Sequence, residues 1–288
     1  MQKTLAIRFN AERRRIHATG MRCPTKFSAK ALLIDIDGVL YTADTPVPGA
    51  VEAVAVLQER DIPHRYISNS TRRSRTMVAE RLRLMGFPIR EDEILTPAVA
   101  AARYLVTQKK MRGIFVTTNE VIQDFTAAGV IPAADRIDAV IVGDAGSSLS
   151  YTLLNAAFRA IMEGAEILAL EKDRYWMDTK GLSLAAGPFV AALEYATGKE
   201  ALVIGKPSPV FFQLALSDMG IRAGETVMIG DDIKTDIQGA MQCGMSGILV
   251  RTGKFREDAL GQSGVHPTCI LDAFPAVLDL FADRPPRS

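Results

Sequence analysis

The chain has 288 residues, of which 48% are apolar and 23% are charged, and its formal net charge at pH 7 is +1. This composition is typical of a globular protein and not of a disordered one, and the small net charge argues against nucleic acid or another polyanion as a partner. No apolar run reaches the length of a membrane span, so we expect no membrane partner, and the length predicts about two domains.

Residues 1–27 are predicted to form a basic extension outside the folded part. The first 30 residues contain eight Lys or Arg and a single acid, Glu12. This stretch could be a transit peptide, or a leader that precedes true initiation at Met21. We favour a third interpretation, a solvated basic tail.

The cysteines are few and widely spaced. Cys23, Cys243 and Cys269 are an odd number without close spacing, which argues against a disulfide framework or a zinc site. We therefore expect a reducing environment and a cytoplasmic location.

Short apolar runs alternate with stretches of helical spacing. The runs with the character of buried parallel strands are 31–36, 64–67, 114–117, 139–142, 167–170, 201–204, 226–229 and 247–250. Apolar residues recur at helical spacing over 50–60, 76–85, 153–163, 188–196, 209–219 and 235–243. This alternation predicts an α/β fold with parallel sheets.

The first strand, in the stretch LLIDIDGVLY, ends in two acids, Asp35 and Asp37. Residues i and i+2 of a strand point to the same side, so the two carboxylates can face one point. Such a pair is costly to bury unless something compensates its charge, and Mg²⁺ suits a site with few carboxylate ligands. Gly38 allows a sharp turn that leaves backbone N–H groups free to face an anion.

Three further strand ends carry polar side chains. In YISNSTRR, Ser68 and Asn69 could hold phosphate oxygens. In LVIGKPSP, Lys206 could neutralise phosphate charge, although the stretch is not a Walker loop. In VMIGDDIKTDIQGA, Asp231 is placed to reach a metal and Asp236, one helical turn later, to support it.

Each of these stretches has a plainer structural interpretation. Asp-Gly is a common turn pair, Ser and Asn are favoured helix N-caps, a lone lysine in a turn is usually a surface residue, and acids are favoured where a helix begins. Ligands of open parallel sheets, however, bind beyond the carboxyl ends of the strands. Because all four stretches follow strands, one shared site explains them better than four coincidences.

This set of residues resembles the haloacid dehalogenase superfamily of aspartate-nucleophile phosphatases. The motifs match at Asp35, Asp37, Gly38, Ser68 (often Thr in the family), Lys206, Asp231 and Asp236. The resemblance implies a doubly wound parallel sheet, Rossmann-like, with an inserted α/β cap. The 138 positions between Ser68 and Lys206 leave room for a cap of about a hundred residues. We expect a core at 28–89 and 188–288 and the cap at 90–187.

The cap placement resembles the branch with the larger α/β cap, subfamily IIA. The stretches GPFVAALEYATGKEALVIGKPSPVFF and VMIGDDIKTDIQGAMQCGMSGILVRTGKF are similar to the phospholysine phosphohistidine inorganic pyrophosphate phosphatase group. Animal members of that group tend to have Ser where this chain has Asp37. This departure makes the chain more like an ordinary phosphomonoesterase.

The resemblance implies a Mg²⁺-dependent phosphatase acting on a phosphate monoester, a phosphoamide or pyrophosphate. Asp35 would be the nucleophile that forms an aspartyl-phosphate, and Asp37 the general acid and base. Mg²⁺ would be held by Asp35, the Asp37 carbonyl and Asp231. The substrate's phosphoryl group would be bound by Ser68, Asn69 and Lys206.

The substrate is expected to be a small phosphorylated metabolite or a phosphoamino acid, chosen by the cap. In the cap stretch LEKDRYWMDTKG, Lys172, Arg174, Tyr175 and Trp176 could contact the leaving group or equally lie at the surface or a dimer interface. We expect a homodimer, with the cap as a candidate interface. Two alternatives stay open: a phosphotransferase or phosphonate hydrolase with the same nucleophile, and a non-catalytic binding protein that retains the fold.

Overall fold

The computed structural model describes Cys23 and residues 29–178 and 181–281. The expected basic extension at 1–27 therefore lies, apart from Cys23, outside the described residues, and its role stays a prediction. No helix of the described ranges is both long and apolar enough to cross a bilayer.

Strands and helices alternate along the chain. The strands are β1 (Ala31–Asp35), β2 (Tyr41–Thr42), β3 (Thr45–Pro46), β4 (His64–Ile67), β5 (Ile94–Leu95), β6 (Arg112–Val116), β7 (Ile131–Pro132), β8 (Ala139–Val142), β9 (Glu166–Ala169), β10 (Tyr175–Asp178), β11 (Gly181–Leu184), β12 (Leu202–Val203), β13 (Thr226–Gly230), β14 (Ser246–Val250) and β15 (Cys269–Leu271). The helices are α1 (Ala50–Glu59), α2 (Arg75–Leu84), α3 (Pro97–Thr107), α4 (Asn119–Ala127), α5 (Tyr151–Met162), α6 (Gly187–Thr197), α7 (Pro209–Met219), α8 (Gly239–Gln242), α9 (Glu257–Ser263) and α10 (Val277–Leu280). The predicted α/β fold with parallel sheets is confirmed.

The first sheet is parallel, in the order β15-β14-β13-β1-β4-β5. All five residues of its central strand β1 are buried. Leu32 and Ile34 face one apolar layer and Leu33 faces another, as alternation along a strand requires. Because apolar residues cover both faces, the sheet is doubly wound, as predicted.

A second parallel sheet has the order β12-β9-β8-β6-β7. Phe115 and Ile141 of this sheet belong to the same apolar cluster as Leu33 and Met228 of the first. The opposite face packs on a separate cluster that includes Ala157 of α5 and Val190 of α6. The two sheets are therefore joined by a continuous apolar layer.

The chain passes from the first sheet to the second after Leu95 and returns after Val203, whereas the expected domain limits were at 90 and 188. Strand β5, Ile94–Leu95, pairs with β4 in the first sheet, although the cap was expected to begin at 90. Strand β12, Leu202–Val203, pairs with β9 in the second sheet, although the core was expected to resume at 188. Pairing between distant strands decides these positions, and local pattern does not contain that information.

The sequence pattern did not predict helix α3. Most of its residues are buried, among them Ala98, Ala100, Ala101 and Ala102. A helix that is apolar on most of its surface lacks the polar stripe by which amphipathic helices are recognised. The local signal was at its start, where the Thr96 side chain accepts a hydrogen bond from Val99 N (3.3 Å) and Pro97 is the first helical residue.

Cys23 and Cys269 are joined by a disulfide. The number and spacing of the cysteines argued against a disulfide framework, and this bond is a correction to that expectation. The two residues are 246 positions apart, and spacing along the chain cannot reveal that Cys269, in β15, lies beside Cys23. Cys243 is a free thiol.

Candidate active site

The predicted site residues gather at the carboxyl ends of the first sheet's central strands. Asp35 is the last residue of β1, Ser68 follows β4 and Asp231 follows β13. Parallel strands bring these ends to one edge of the sheet. Lys206 reaches the same place from the segment that follows β12 of the second sheet.

The Lys206 side chain links two buried acids. Its Nζ lies 2.6 Å from Asp35 Oδ1 and 2.7 Å from Asp236 Oδ1. All three side chains are almost completely removed from solvent. Charge-assisted hydrogen bonds of this kind are among the strongest in proteins, so the lysine holds the expected nucleophile in a defined position.

Asn69 fixes the backbone that carries Lys206. Its Oδ1 accepts a hydrogen bond from Lys206 N at 2.9 Å, and its Nδ2 donates to Lys206 O at 3.1 Å. The Asn69 amide thus binds protein backbone in this structure. Its expected contact with phosphate stays a prediction.

Asp231 is enclosed by two loops that approach it closely. Gly38, after β1, and Gly253, after β14, both have positive φ, +88° and +60°, and a Cβ added at either position would collide with the Asp231 carboxylate. The same carboxylate accepts a hydrogen bond from Lys254 N at 2.6 Å. Only glycine permits both the backbone conformation and the close approach.

The site carries more negative than positive charge. Asp35, Asp231 and Asp236 each place a carboxylate oxygen within 4.8 Å of the others, and Lys206 is the cation bonded to two of them. Burial, followed by repulsion from Asp236, raises the pKa of Asp35 well above its usual range and the pKa of Asp231 to about 7. Burial alone would lower the pKa of Lys206, but Asp236 and Asp35 outweigh it and raise that pKa.

These residues fit a divalent cation. The donor atoms are carboxylate oxygens, which hard cations such as Mg²⁺ prefer, and the three clustered carboxylates carry more charge than the bonded Lys206 compensates. A bound cation would supply the remaining compensating charge. Asp236 was expected to support Asp231 from outside the metal shell; here it lies in the same cluster and binds Lys206.

Asp37 differs from its neighbours because its side chain is exposed. Its Oδ1 accepts a hydrogen bond from the Tyr41 hydroxyl at 2.5 Å, and its Oδ2 accepts one from Ser68 Oγ at 3.2 Å. The carboxylate therefore lies at the mouth of the site, between β2 and the end of β4.

A cavity of about 810 Å³ opens above the acids and reaches the second sheet's loops. Of the four cap residues considered from sequence, Trp176 lines it and the other three do not. Lys172 instead forms an ion pair with Glu194 at 2.7 Å, and Tyr175 is 56% exposed. Of these four residues, Trp176 is the one placed to meet a leaving group.

Residues absent from the sequence prediction also line the cavity. The Arg72 guanidinium lies 5.4 Å from the centre of the Trp176 ring and 3.9 Å from Asp144, so it links the two sides of the cavity. Lys254 follows β14, and the strand-end argument applied to that strand would have found it. Arg72 and Asp144 follow strands as well, but their pairing depends on how the sheets are placed.

Two known protein families match parts of this chain. The family described as haloacid dehalogenase-like hydrolase matches residues 32–130, and one described as HAD-hydrolase-like matches residues 203–277. Haloacid dehalogenase-like hydrolase domain-containing protein 2 of Bos taurus is 41% identical over 255 residues, which are 88% of this chain and 96% of that protein. The chain belongs to the haloacid dehalogenase-like hydrolase family. The family resemblance predicted from the motifs is confirmed, and with it the assignment as a hydrolase.

Other members of the haloacid dehalogenase-like family are similarly close. The human phospholysine phosphohistidine inorganic pyrophosphate phosphatase is 41% identical over 263 residues, covering 88% of this chain and 94% of that protein. The solved p-nitrophenyl phosphatase from Archaeoglobus fulgidus has a TM-score of 0.82 and 30% identity, covering 87% of this chain and 98% of that one. The match over nearly the whole of both chains extends to the cap as well as the core.

Proposed function

We propose that this hydrolase is a Mg²⁺-dependent phosphatase that works through an aspartyl-phosphate on Asp35. The observation that carries the proposal is the bridge from Lys206 Nζ to Asp35 and Asp236, 2.6 and 2.7 Å, beside Asp231. The Asp35 carboxylate lies at the end of a strand, is held by Lys206, and lines a cavity large enough for a small phosphate ester.

In the first half of the reaction Asp35 attacks phosphorus. A bond forms between its carboxylate oxygen and phosphorus while the bond to the leaving oxygen breaks, and the electron pair stays with that oxygen. Asp37, at the mouth of the site, gives the leaving oxygen a proton. Ser68 and Lys206 hold the oxygens of the transferring group, since phosphoryl transfer depends mainly on position and charge.

In the second half a water molecule attacks the aspartyl-phosphate. Asp37, now ionised, accepts a proton from this water, and the phosphorus–oxygen bond to Asp35 breaks. Inorganic phosphate leaves and the Asp35 carboxylate is restored. One residue thus acts first as an acid and then as a base.

Mg²⁺, held by Asp35, the Asp37 carbonyl and Asp231, would neutralise charge on the phosphoryl group and the nucleophile when it is bound. The carboxylates that would hold it are already gathered by β1 and β13. Asp236 holds Lys206 and adds negative charge beside Asp231.

The substrate is proposed to be a small phosphorylated metabolite or a phosphoamino acid. Two relatives are named for p-nitrophenyl phosphate and for phospholysine, phosphohistidine and pyrophosphate. Glu120, Asp144 and Asp173 bring acids to the cavity wall, and Trp176 brings an aromatic ring. Arg72 and Arg73 line the cavity as well, so the wall favours a polar leaving group that carries both hydrogen-bond donors and acceptors.

A phosphate-release screen tests the proposal. The purified chain with Mg²⁺ is offered metabolite monoesters, phosphoamino acids, phosphoramidates and pyrophosphate, and released phosphate is measured. We expect turnover of some monoesters. Asp35→Asn is the matched control, since it keeps side-chain volume, and it should release none. Transfer to an added alcohol in place of water would indicate a phosphotransferase, and a chain inactive on every compound would overturn the proposal.

The homodimer is proposed to form through the cap. One face of the hairpin β10–β11 exposes apolar side chains: Tyr175, Leu182 and Leu184 are 56%, 67% and 61% exposed. Tyr175 lies opposite Leu184, and Leu182 and Leu184 are two residues apart on one strand, so all three side chains point to the same face of the hairpin. Exposed apolar patches of this kind mark protein interfaces. Sedimentation of Leu182→Ser with Leu184→Ser should give a monomer where the unchanged chain gives a dimer.

The cytoplasmic location stays a prediction. The Cys23–Cys269 disulfide is an observation against it, because such bonds persist mainly in oxidising compartments.

Domain limits are proposed to follow the sheets, with the cap between Leu95 and Val203.

A further inference from the structure

Tyr41 lies at the end of the stretch that carries both catalytic acids, and its side chain has no part in the reaction described so far. It is the first residue of β2, 4% exposed, and its hydroxyl lies 2.5 Å from Asp37 Oδ1. The other Asp37 oxygen accepts from Ser68 Oγ at 3.2 Å. Each oxygen of the proposed acid–base residue is therefore bonded to a different hydroxyl.

The Tyr41 ring is itself held in place. The Arg81 guanidinium carbon lies 4.7 Å from the ring centre, a distance at which a cation is attracted to an aromatic face. Arg81 Nη2 also donates to Ala43 O and to Asp44 Oδ1, both at 2.7 Å. A chain of contacts thus runs from helix α2 through the tyrosine ring to the Asp37 carboxylate.

The hydroxyl is suited to hold Asp37 in both of its protonation states. A neutral hydroxyl can donate to Oδ1 both when Asp37 is ionised and when Asp37 carries its proton on Oδ2. It can therefore stay bonded to Asp37 while Asp37 alternates between acid and base.

We infer that Tyr41 is the positioning residue for Asp37: it binds Oδ1 and so leaves Oδ2, the oxygen beside Ser68, to exchange protons with the reacting oxygens. This inference rests on the proposed function. Tyr41 itself does not line the cavity. Its effect passes through the orientation of Asp37, and a loss of orientation matters most where the leaving group needs a proton.

The test compares two aryl esters of nearly the same shape. p-Nitrophenol leaves readily as an anion, whereas phenol leaves much better when protonated. In Tyr41→Phe, which keeps the ring, kcat/KM for phenyl phosphate should fall about tenfold, a fraction of the full effect of an acid catalyst. For p-nitrophenyl phosphate kcat/KM should change by less than about twofold, since its first step needs no proton.

Tyr104→Phe is the matched control. Tyr104 also donates its hydroxyl to a carboxylate, Glu166 at 3.0 Å, but neither residue lines the cavity. The ratio of the two kcat/KM values should be unchanged in this variant. If Tyr41→Phe also leaves the ratio unchanged, whether or not both values fall, the inference is overturned. An unchanged chain that hydrolyses neither ester nor any compound of the phosphate-release screen would overturn the proposed function and this inference together.

Discussion

At the scale of single residues, the site depends on unequal surroundings for two nearby acids. Asp35 is buried and bonded to Lys206, whereas Asp37 is exposed and bonded to two hydroxyls. A carboxylate held by a lysine is oriented for attack, and one at the mouth of the cavity is placed to exchange protons with water or a leaving group. The proposed division of roles rests on these surroundings.

Substitution of each acid by asparagine should separate those roles. Asp35→Asn removes the attacking oxygen's charge, so it should abolish turnover and prevent any phosphoenzyme from forming. Asp37→Asn keeps its backbone carbonyl and loses the proton donor and base, a contribution of about 10²–10⁴-fold. With p-nitrophenyl phosphate its first step should be partly spared, and phosphoenzyme should accumulate on Asp35.

Rapid-quench labelling with phosphate-labelled substrate, followed by peptide mapping, measures both outcomes. Label on Ser68 would show that Ser68 is the nucleophile and that the assignment to Asp35 is wrong. Identical behaviour of the two variants with every leaving group would contradict the division of roles.

At the scale of elements, the contact between helices α4 and α2 is expected to depend on pH. The Asp124 carboxylate of α4 accepts a hydrogen bond from Arg75 N, the first residue of α2, with distances of 3.2 and 3.0 Å to its two oxygens. Burial, which outweighs the hydrogen bond, raises the pKa of Asp124 from 3.8 to about 6. Between these two values the folded chain binds more protons than the unfolded one, so the free energy of unfolding decreases as pH rises.

Asp124→Asn should therefore raise the free energy of unfolding at pH 8 by about 1–2 kcal/mol, allowing for the partial exposure of the group. The gain should become smaller as pH falls below the raised pKa, because the carboxyl is then protonated in the folded chain. Denaturant unfolding at pH 5 and pH 8 measures it. Glu163→Gln, at an exposed position, is the control, and an Asp124→Asn chain less stable at pH 8 would contradict the prediction.

The β10–β11 hairpin is predicted to carry specificity through one residue. Trp176 lines the cavity, whereas Arg174, the residue before β10, is exposed. Trp176→Ala should change the ranking of substrates by kcat/KM while the smallest substrate changes least. Arg174→Ala, the matched control, should leave the ranking unchanged. An equal loss on every substrate in Trp176→Ala would indicate a structural role for the ring.

At the scale of the whole molecule, folding brings three acids, Asp35, Asp231 and Asp236, into one cluster. Lys206 does not neutralise all of their charge, so turnover should require Mg²⁺. Excess chelator should abolish phosphate release, and Ca²⁺ should inhibit because it does not impose octahedral geometry. Since the pKa of Asp231 is raised to about 7 without a cation, protons should compete with Mg²⁺ below that pH.

Calorimetric titration at pH 6 and pH 8 measures this competition. Mg²⁺ should bind more tightly at pH 8, and Asp231→Asn should bind it poorly at both. Undiminished turnover in chelator, or affinity that does not depend on pH, would contradict the expectation.

Much of the site could be predicted because it depends on local order along the chain. Short apolar runs such as Leu32–Ile34, repeated between stretches of helical spacing, favour buried strands, and parallel strands bring their carboxyl ends to one edge of a sheet. Polar residues that directly follow those runs, Asp35, Ser68 and Asp231, must then meet at one edge. The sequence alone therefore determined the fold class, the family and the acids of the site.

Only the tertiary structure decided which of those residues are bonded to one another. Lys206 Nζ reaches Asp35 across 171 positions of chain, and Arg72, which follows β4, meets Trp176 of the distant β10–β11 hairpin. Tyr41 lies close to Asp37 in sequence, yet its bond depends on the turn at Gly38 and the hairpin after it. Such contacts depend on the packing of distant segments, and a one-dimensional pattern of apolar and polar residues does not record packing.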